Sequence, residues 1–295
     1  MKYLINSVTE ATTGRGRKYL RMQLYEVGGK SHKSVFWEPG STEFKSGQVI
    51  DALTEESEFG GEAQLTVKAA RVTTDDPGEL FLPRTRQSID GLYDELQQFV
   101  NSVVHPKLQG LLKLAIQDPR WKRAPAAKQM HHAYLGGLLE HSVNLCRLGD
   151  AVSKLYPTLR RDLLITGAIL HDLGKMDEMS CGVTIEYTCE GELLGHIAIG
   201  MMRAAKWMEE LEFSEELKLT VLHIIASHHG NLNFGAIKQP SILEAQVFSN
   251  LDGIDANIGK ITALIEKAGP GKEFTDKQDF GSPRIYIGPS GLEEK

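Results

Sequence analysis

Hydrophobic and polar positions alternate along the opening stretch of the chain. In KYLRMQLYEV, Tyr19, Arg21, Gln23 and Tyr25 fall on one face and Leu20, Met22 and Leu24 on the other, the two-residue period of a half-buried strand. HKSVFWEP, QVIDALTEES and AQLTVKAARV follow at short intervals, punctuated by Gly28-Gly29, Pro39-Gly40 and Gly60-Gly61 as turn signals. Several short strands so close together predict a small barrel or sandwich. TTDDPGELFLPRTR, acidic and interrupted by Pro77-Gly78 and Pro83, reads as a linker.

From Ser88 the period becomes helical. Ile89, Leu92, Leu96, Phe99 and Val103 share one face, with Ser88 as N-cap. AYLGGLLEHSVNLCRLGDAVSKLY continues the pattern through Leu135, Leu138, Leu139, Leu145, Leu148, Val152 and Leu155. RRDLLITGAILHDLG predicts a buried helix ended by Gly174, and GVTIEYTCEGELL a short hairpin. SEELKLTVLHIIASHHG has Ser214 as cap and Gly230 past its end, and PSILEAQVFSNLDGIDA opens with the Ser241/Glu244 spacing of a capping box. The expected fold class is α+β in two domains: a β-rich module over residues 1–75, a linker over 76–87, an all-helical domain over 88–268, and an unassigned tail over 269–295.

The apolar and charged fractions, 41% and 24%, are those of a globular protein, and no apolar run approaches the ~20 residues of a membrane span. The first residues carry no signal-peptide pattern, so a cytoplasmic address and no membrane partner are expected. Cys146, Cys181 and Cys189 are too few and too irregularly spaced for a disulfide framework or a thiolate zinc site. The net charge of −6 argues against a generally basic nucleic-acid binder. Its distribution qualifies that: Arg15, Arg17, Lys18, Arg21, Lys30 and Lys33 face Glu26 alone within residues 15–33.

The histidines change the picture. Of ten, eight fall from His131 to His229. His171 and Asp172 stand side by side at the end of an apolar run in AILHDLGK, His141 sits among leucines, His228-His229 close an apolar helix, and Asp252 lies on an otherwise apolar face. Burying any one of these unpartnered costs ~1–3 kcal/mol or more. Gathering them around one or two cations removes that cost, and imidazole with carboxylate suits manganese, iron, cobalt, nickel or zinc.

The order His, His-Asp, His-His, Asp resembles the HD-domain metal-dependent phosphohydrolases and, more specifically, the YhaM-type 3′→5′ exoribonucleases. HHAYLGGLLEHS, AILHDLGK, GELLGHI and ASHHG carry the resemblance, together with the β-rich first module and the ELFLPRTRQSIDGL bridge. It implies an OB-fold barrel followed by an HD domain. It further implies that His141, His171, Asp172 and Asp252 hold one divalent cation, and that Asp172 bridges to a second held by His196, His228 and His229. By resemblance the metal is manganese, with iron, cobalt or nickel as alternatives. Asp172 and Lys175 are the candidate catalytic residues: two cations acidify water and clamp a phosphate oxygen, and an ammonium beside them steadies transition-state charge. His132 is a candidate contact to a ligand or to the phosphate. His223, on the opposite helix face, reads as structural, and His32 and His105 as surface residues.

In a small barrel, a positive loop and exposed rings suit single strands. Arg15, Arg17, Lys18, Arg21 and Lys33 supply the charge; Tyr19 and Trp37 lead the rings, with Tyr25, Phe36 and Phe59 behind them, and of adjacent Phe36 and Trp37 one must face inward. Three functions compete: a metal-dependent 3′→5′ exonuclease on single-stranded RNA, with DNA also admitted, releasing nucleoside monophosphates; a phosphodiesterase of small cyclic or linear nucleotides; and a nucleic-acid-binding protein with a structural metal. A homo-oligomer is compatible with all three.

Overall fold

The structure, a computed structural model, describes residues 1–60, 62–73, 78–128, 134–181, 185–269, 271–276 and 283–288. Five strands form the first module: β1 (Lys2–Thr12), β2 (Lys18–Tyr25), β3 (Ser31–Phe36), β4 (Val49–Phe59) and β5 (Glu62–Thr73). They close into a barrel in the order β1-β2-β3-β5-β4, with β1 pairing back to β4. Pairings are antiparallel except β3–β5, which is parallel. This is the five-stranded, OB-like barrel.

Ile5, Met22, Leu24, Phe36, Ile50 and Val67 fill the interior, so the alternation read in β2 sets the inward face. Trp37 points outward and stacks on Tyr19 at 4.6 Å. β1 has no clean alternation because Tyr3, Leu4 and Ile5 are all buried: Leu4 faces away from the barrel core, onto Phe81 and Leu82. That contact also anchors the segment read as a linker. Phe81 and Leu82 pack with Val49 of β4 and with Leu135 of the helical region.

The helical region runs α1 (Ile89–Ser102), α2 (Pro106–Ala115), α3 (Gly137–Leu155), α4 (Arg161–Leu170) and α5 (Lys175–Glu178). A hairpin of β6 (Met179–Cys181) and β7 (Ile185–Tyr187) follows, then α6 (Cys189–Glu210), α7 (Glu215–Ser227) and α8 (Leu243–Ala268). Leu96, Leu111, Trp121, Leu138, Ile165 and Phe248 belong to its core. Ser88 and Ser214 cap α1 and α7, their hydroxyls accepting from the Gly91 and Leu217 amides.

Four expectations change. Ser241 and Glu244 make no capping box: α8 starts after Ile242, and the buried Glu244 carboxylate instead accepts from the Arg160 guanidinium at 2.8 and 3.0 Å. Leu155, in the last turn of α3, is exposed. The hairpin stops at Tyr187, because Thr188 caps α6 through the Gly191 amide. Gly174 ends no helix by a left-handed turn; its φ is −64° and it leads directly into α5.

Asp118 and Asp177 join with Arg120 and Arg203 in an ion cluster that ties α5 to α6. Burial raises the Asp118 pKa, but Arg120 and Arg203 outweigh it and bring it down to about 2. A carboxyl depressed in the fold stabilises above its unfolded value and loses that stabilisation as pH falls through the folded one. Thermal melts of the metal-free protein should therefore lose stability from about pH 4 to about pH 2. Asp118→Asn should melt a few degrees below wild type at pH 6 and converge with it near pH 2; a constant difference across that range would contradict the assignment. Among the described residues, no helix is long and apolar enough to cross a membrane.

Candidate metal centre

Helix ends and one helix break bring the imidazoles together. His141 lies in the second turn of α3, and His171 and Asp172 occupy the turn that follows α4. Gly195, at φ 71°, breaks α6 so that His196 starts its second segment. His228 and His229 occupy the turn after α7, which Gly230 terminates at φ 70°. Asp252 and Asp255, three residues apart, share one face of α8.

Each ring is aimed by its Nδ1–H. His171 donates to Gly167 O at 3.1 Å, His228 to Ile225 O at 2.8 Å and His229 to Phe234 O at 2.7 Å. His141 donates to Asp255 Oδ2 at 2.7 Å, and His196 to Glu178 Oε1 at 3.1 Å. Fixing the proton on Nδ1 leaves Nε2 as the lone-pair nitrogen, which is how ligating histidines are oriented. Asn144 and the His196 backbone amide hold the two carboxylates in turn, at 3.1 and 3.0 Å.

The Nε2 atoms converge on Asp172, whose oxygens face different groups. Oδ2 lies 3.3 Å from His171 Nε2 and 3.8 Å from His141 Nε2. Oδ1 lies 3.4 Å from His196 Nε2 and 3.6 Å from His228 Nε2. Asp252 Oδ1 joins the first group, 3.1 Å from His141 Nε2 and 3.9 Å from that of His171. The ligand atoms of His141, His171 and Asp172 fall within 4.8 Å of one another, as do those of His196, His228 and His229.

Electrostatics suit a cation. Burial, helped by His171, holds His228 well below the usual imidazole range, and burial with His196 lowers His229, so both offer neutral lone pairs. Burial would raise Asp172, but Lys175 and the histidines outweigh it and keep the carboxylate ionised. Burial opposes charge on His141, but Asp252 and Asp255 overcome it and push it up to about 9, so without a metal its Nε2 carries a proton, in a position where the two carboxylates favour positive charge. Lys175 Nζ sits 2.6 Å from Asp172 Oδ2, on the wall of a cavity of about 530 Å³ that His196 and His229 also line.

Whether the residues fit a metal can be tested on one feature. Among the described residues, Asp172 Oδ1, His196 Nε2 and His228 Nε2 are buried with no hydrogen-bond partner. Three orphaned acceptors facing one another cost about 1–3 kcal/mol each. A cation among them would satisfy all three, so the donor set fits.

Residues 138–257 match the HD domain family, a stretch running from α3 to α8 and containing all seven of these side chains. The chain is 30% identical over 294 residues to the 3′-5′ exoribonuclease YhaM of Bacillus subtilis, covering 97% of this chain and 93% of that protein. It is 32% identical to the 3′-5′ exoribonuclease YhaM of Listeria welshimeri, over 97% and 94%. The chain belongs to the YhaM family. The YhaM of Halalkalibacterium halodurans is 31% identical over 98% of this chain and 94% of its own. No solved structure matches. The HD match implies a site for divalent metal.

In this YhaM-family chain, Asp255, Glu178 and Asn144 also line the centre, and nothing in the sequence context of Glu178 or Asn144 singles them out. A usable signal was the spacing of Asp255 from Asp252, which puts a second acid on the same apolar-flanked helix face. His132 lies outside the described residues. His223 is structural, its Nε2 accepting from the Ser241 amide at 2.8 Å. His105 caps α2, while His32 is half-buried beside Glu26 rather than a surface residue.

On the barrel, Tyr19, Arg21, Lys33 and Trp37 line one groove of about 550 Å³ with Phe59. Arg17 and Lys18 are turned to Glu38 and Glu10, and Arg15 is exposed on the β1–β2 turn. Phe36 is in the barrel core, and Tyr25 packs towards Phe81 and Leu82.

Proposed function

We propose that this protein is a metal-dependent 3′→5′ exoribonuclease that releases nucleoside monophosphates from single-stranded RNA. The observation that carries the reading is Asp172 placed between two clusters of imidazoles, one oxygen towards each, with its Oδ1 and the Nε2 atoms of His196 and His228 orphaned and buried. The names of its relatives support the substrate class and direction.

In this reading His141, His171, Asp172 and Asp252 would hold one cation, and Asp172, His196, His228 and His229 a second. The imidazole and carboxylate donors leave the metal open among the first-row divalent ions, and manganese is chosen on the family resemblance, with iron, cobalt or nickel as alternatives. Bound divalent cations polarise phosphoryl oxygens and lower the pKa of water. The chain contributes the rest. The Nδ1 hydrogen bonds keep five rings from rotating, so the site is organised before substrate arrives. The Lys175 ammonium, already on the cavity wall, neutralises charge that grows on the phosphoryl group. Residues 88–268 do the cutting, and residues 1–75 present the strand through the groove where Trp37 stacks on Tyr19.

The test is incubation of purified protein with 5′-labelled RNA and Mn²⁺. A ladder shortening from the 3′ end is expected; intact RNA with Mn²⁺, Fe²⁺, Co²⁺, Ni²⁺ and Mg²⁺ alike would overturn the proposal. Asp255→Ala frees the His141 ring and should weaken Mn²⁺ binding by about 10–100-fold. Calorimetric titration reads this directly, and unaltered affinity would remove Asp255 from the centre.

A further inference from the structure

We infer that the cleft between the barrel and the helical region is the path by which a single strand reaches the metal centre, with Lys128 holding a backbone phosphate where that cleft opens into the metal cavity. The inference rests on the single-strand reading above and names the route to the same site.

Three hollows share walls. The barrel groove and the cleft, about 550 and 910 Å³, have Ser7 and Gln23 in common. The cleft and the metal cavity of about 530 Å³ have Lys128 in common. The three hollows therefore adjoin in series at these side chains, from the groove of Trp37 to the cavity of His196 and His229. The cleft is a fixed feature, because its two sides are fastened together. Gly28 N donates to Leu80 O at 3.0 Å, and Gly29 lies so close to Pro83 that a Cβ there would collide with the proline backbone. Phe81 and Leu82 join Leu4 and Val49 to Leu135.

The chemistry of the walls changes along the way. The barrel groove offers rings and cations. The cleft offers neutral hydrogen-bonding groups: Asn6 Nδ2 donates to Gln23 Oε1 at 3.0 Å and Gln23 Nε2 to Ser31 Oγ at 2.9 Å. Such a wall can exchange hydrogen bonds with sugars and base edges without fixing a sequence. At its inner end stands Lys128, 2.6 Å from Glu186 Oε2 and 5.4 Å from the centroid of the Tyr187 ring. Glu186 is 56% exposed, and exposed ion pairs contribute little, about 0–1 kcal/mol, so an incoming phosphate can displace it. Tyr187, 44% exposed on β7, presents a ring on the cavity wall beside that phosphate position. Cation and ring together are the elements by which proteins hold single strands.

The test uses the full chain and Lys128→Ala, with Lys128→Arg as the conservative variant and Lys113→Ala, on the exposed face of α2, as a charge-matched control. Equilibrium binding is read by anisotropy on a labelled RNA oligonucleotide carrying phosphorothioate linkages at its 3′ end, over a range of KCl. Loss of one phosphate contact should weaken binding about tenfold and make the slope of log affinity against log salt shallower by about 0.7. Lys128→Arg should keep the wild-type slope, and Lys113→Ala should match wild type. With unmodified RNA and Mn²⁺, Lys128→Ala should raise KM far more than it lowers kcat. Cross-linking of RNA bearing 4-thiouridine should label peptides containing Leu82, Tyr134 or Glu186, which line the cleft and not the barrel groove, in addition to those of the groove. A wild-type salt slope in Lys128→Ala, or cross-links confined to faces outside the cleft, would overturn the path. Intact RNA with the wild-type protein in every metal would instead overturn the exonuclease reading, and the anisotropy slope would still judge the path on its own.

Discussion

Asp172→Asn should lower RNA turnover about a thousandfold or more while the protein still folds. The side chain is nearly isosteric, and its remaining carbonyl oxygen can still accept from Lys175 Nζ, now 2.6 Å from Oδ2. What disappears is the one anion with separate oxygens facing His141 and His171 on one side and His196 and His228 on the other. An amide offers a single oxygen and no charge, so it cannot serve two cations. Removing the charge also removes the reason for Lys175 to stay protonated at a buried site, where burial lowers its pKa and Asp172 is the largest influence holding it up. Circular dichroism should report a native fold and labelled-RNA assays the lost turnover. Activity within tenfold of wild type would exclude a bridging role for Asp172.

Gly174→Ala should also damage the centre, less severely and through packing alone. Its φ of −64° is one that alanine adopts readily, so backbone strain is not the reason. The reason is contact: a Cβ at this position would strike the His196 carbonyl oxygen and approach Gly200 N to 2.7 Å. Both are backbone atoms that cannot rotate away. The second segment of α6 must retreat from the turn carrying His171 and Asp172, taking His196 with it. Overpacking of this kind costs about 1–3 kcal/mol. Metal binding by the His196 side of the centre should weaken with it, and turnover should fall about a hundredfold. Melting curves and Mn²⁺ titration together separate the two effects; wild-type stability would show that α6 is not seated on Gly174.

The candidate ligands were legible because they violate the pattern around them. His141, His171 and His228 lie in runs of leucine and isoleucine where burial is certain, and a buried imidazole needs a partner. The barrel was legible through β2, where Met22 and Leu24 alternate cleanly inward, but less so through β1, whose outer face is covered by Phe81 and Leu82. Glu178 was not legible and Asp255 only through its spacing from Asp252, since an acid on a helix face ordinarily meets water and here meets a histidine 18 or 114 positions away. The capping box of Ser241 and Glu244 failed for a similar reason: Arg160, 84 residues distant, takes the carboxylate. Local rules state what a residue prefers alone, and tertiary partners decide among those preferences. Gly174 shows the same limit, because a glycine reads as a helix stop whether its freedom or its smallness is what the fold requires.

The central claim is that two cations sit on either side of Asp172. Anomalous diffraction at the manganese edge from Mn²⁺-soaked crystals tests it most directly. Two peaks are expected, one among His141, His171, Asp172 and Asp252 and the other among Asp172, His196, His228 and His229. An absence of anomalous density at Asp172, with manganese found elsewhere or nowhere, would contradict the account.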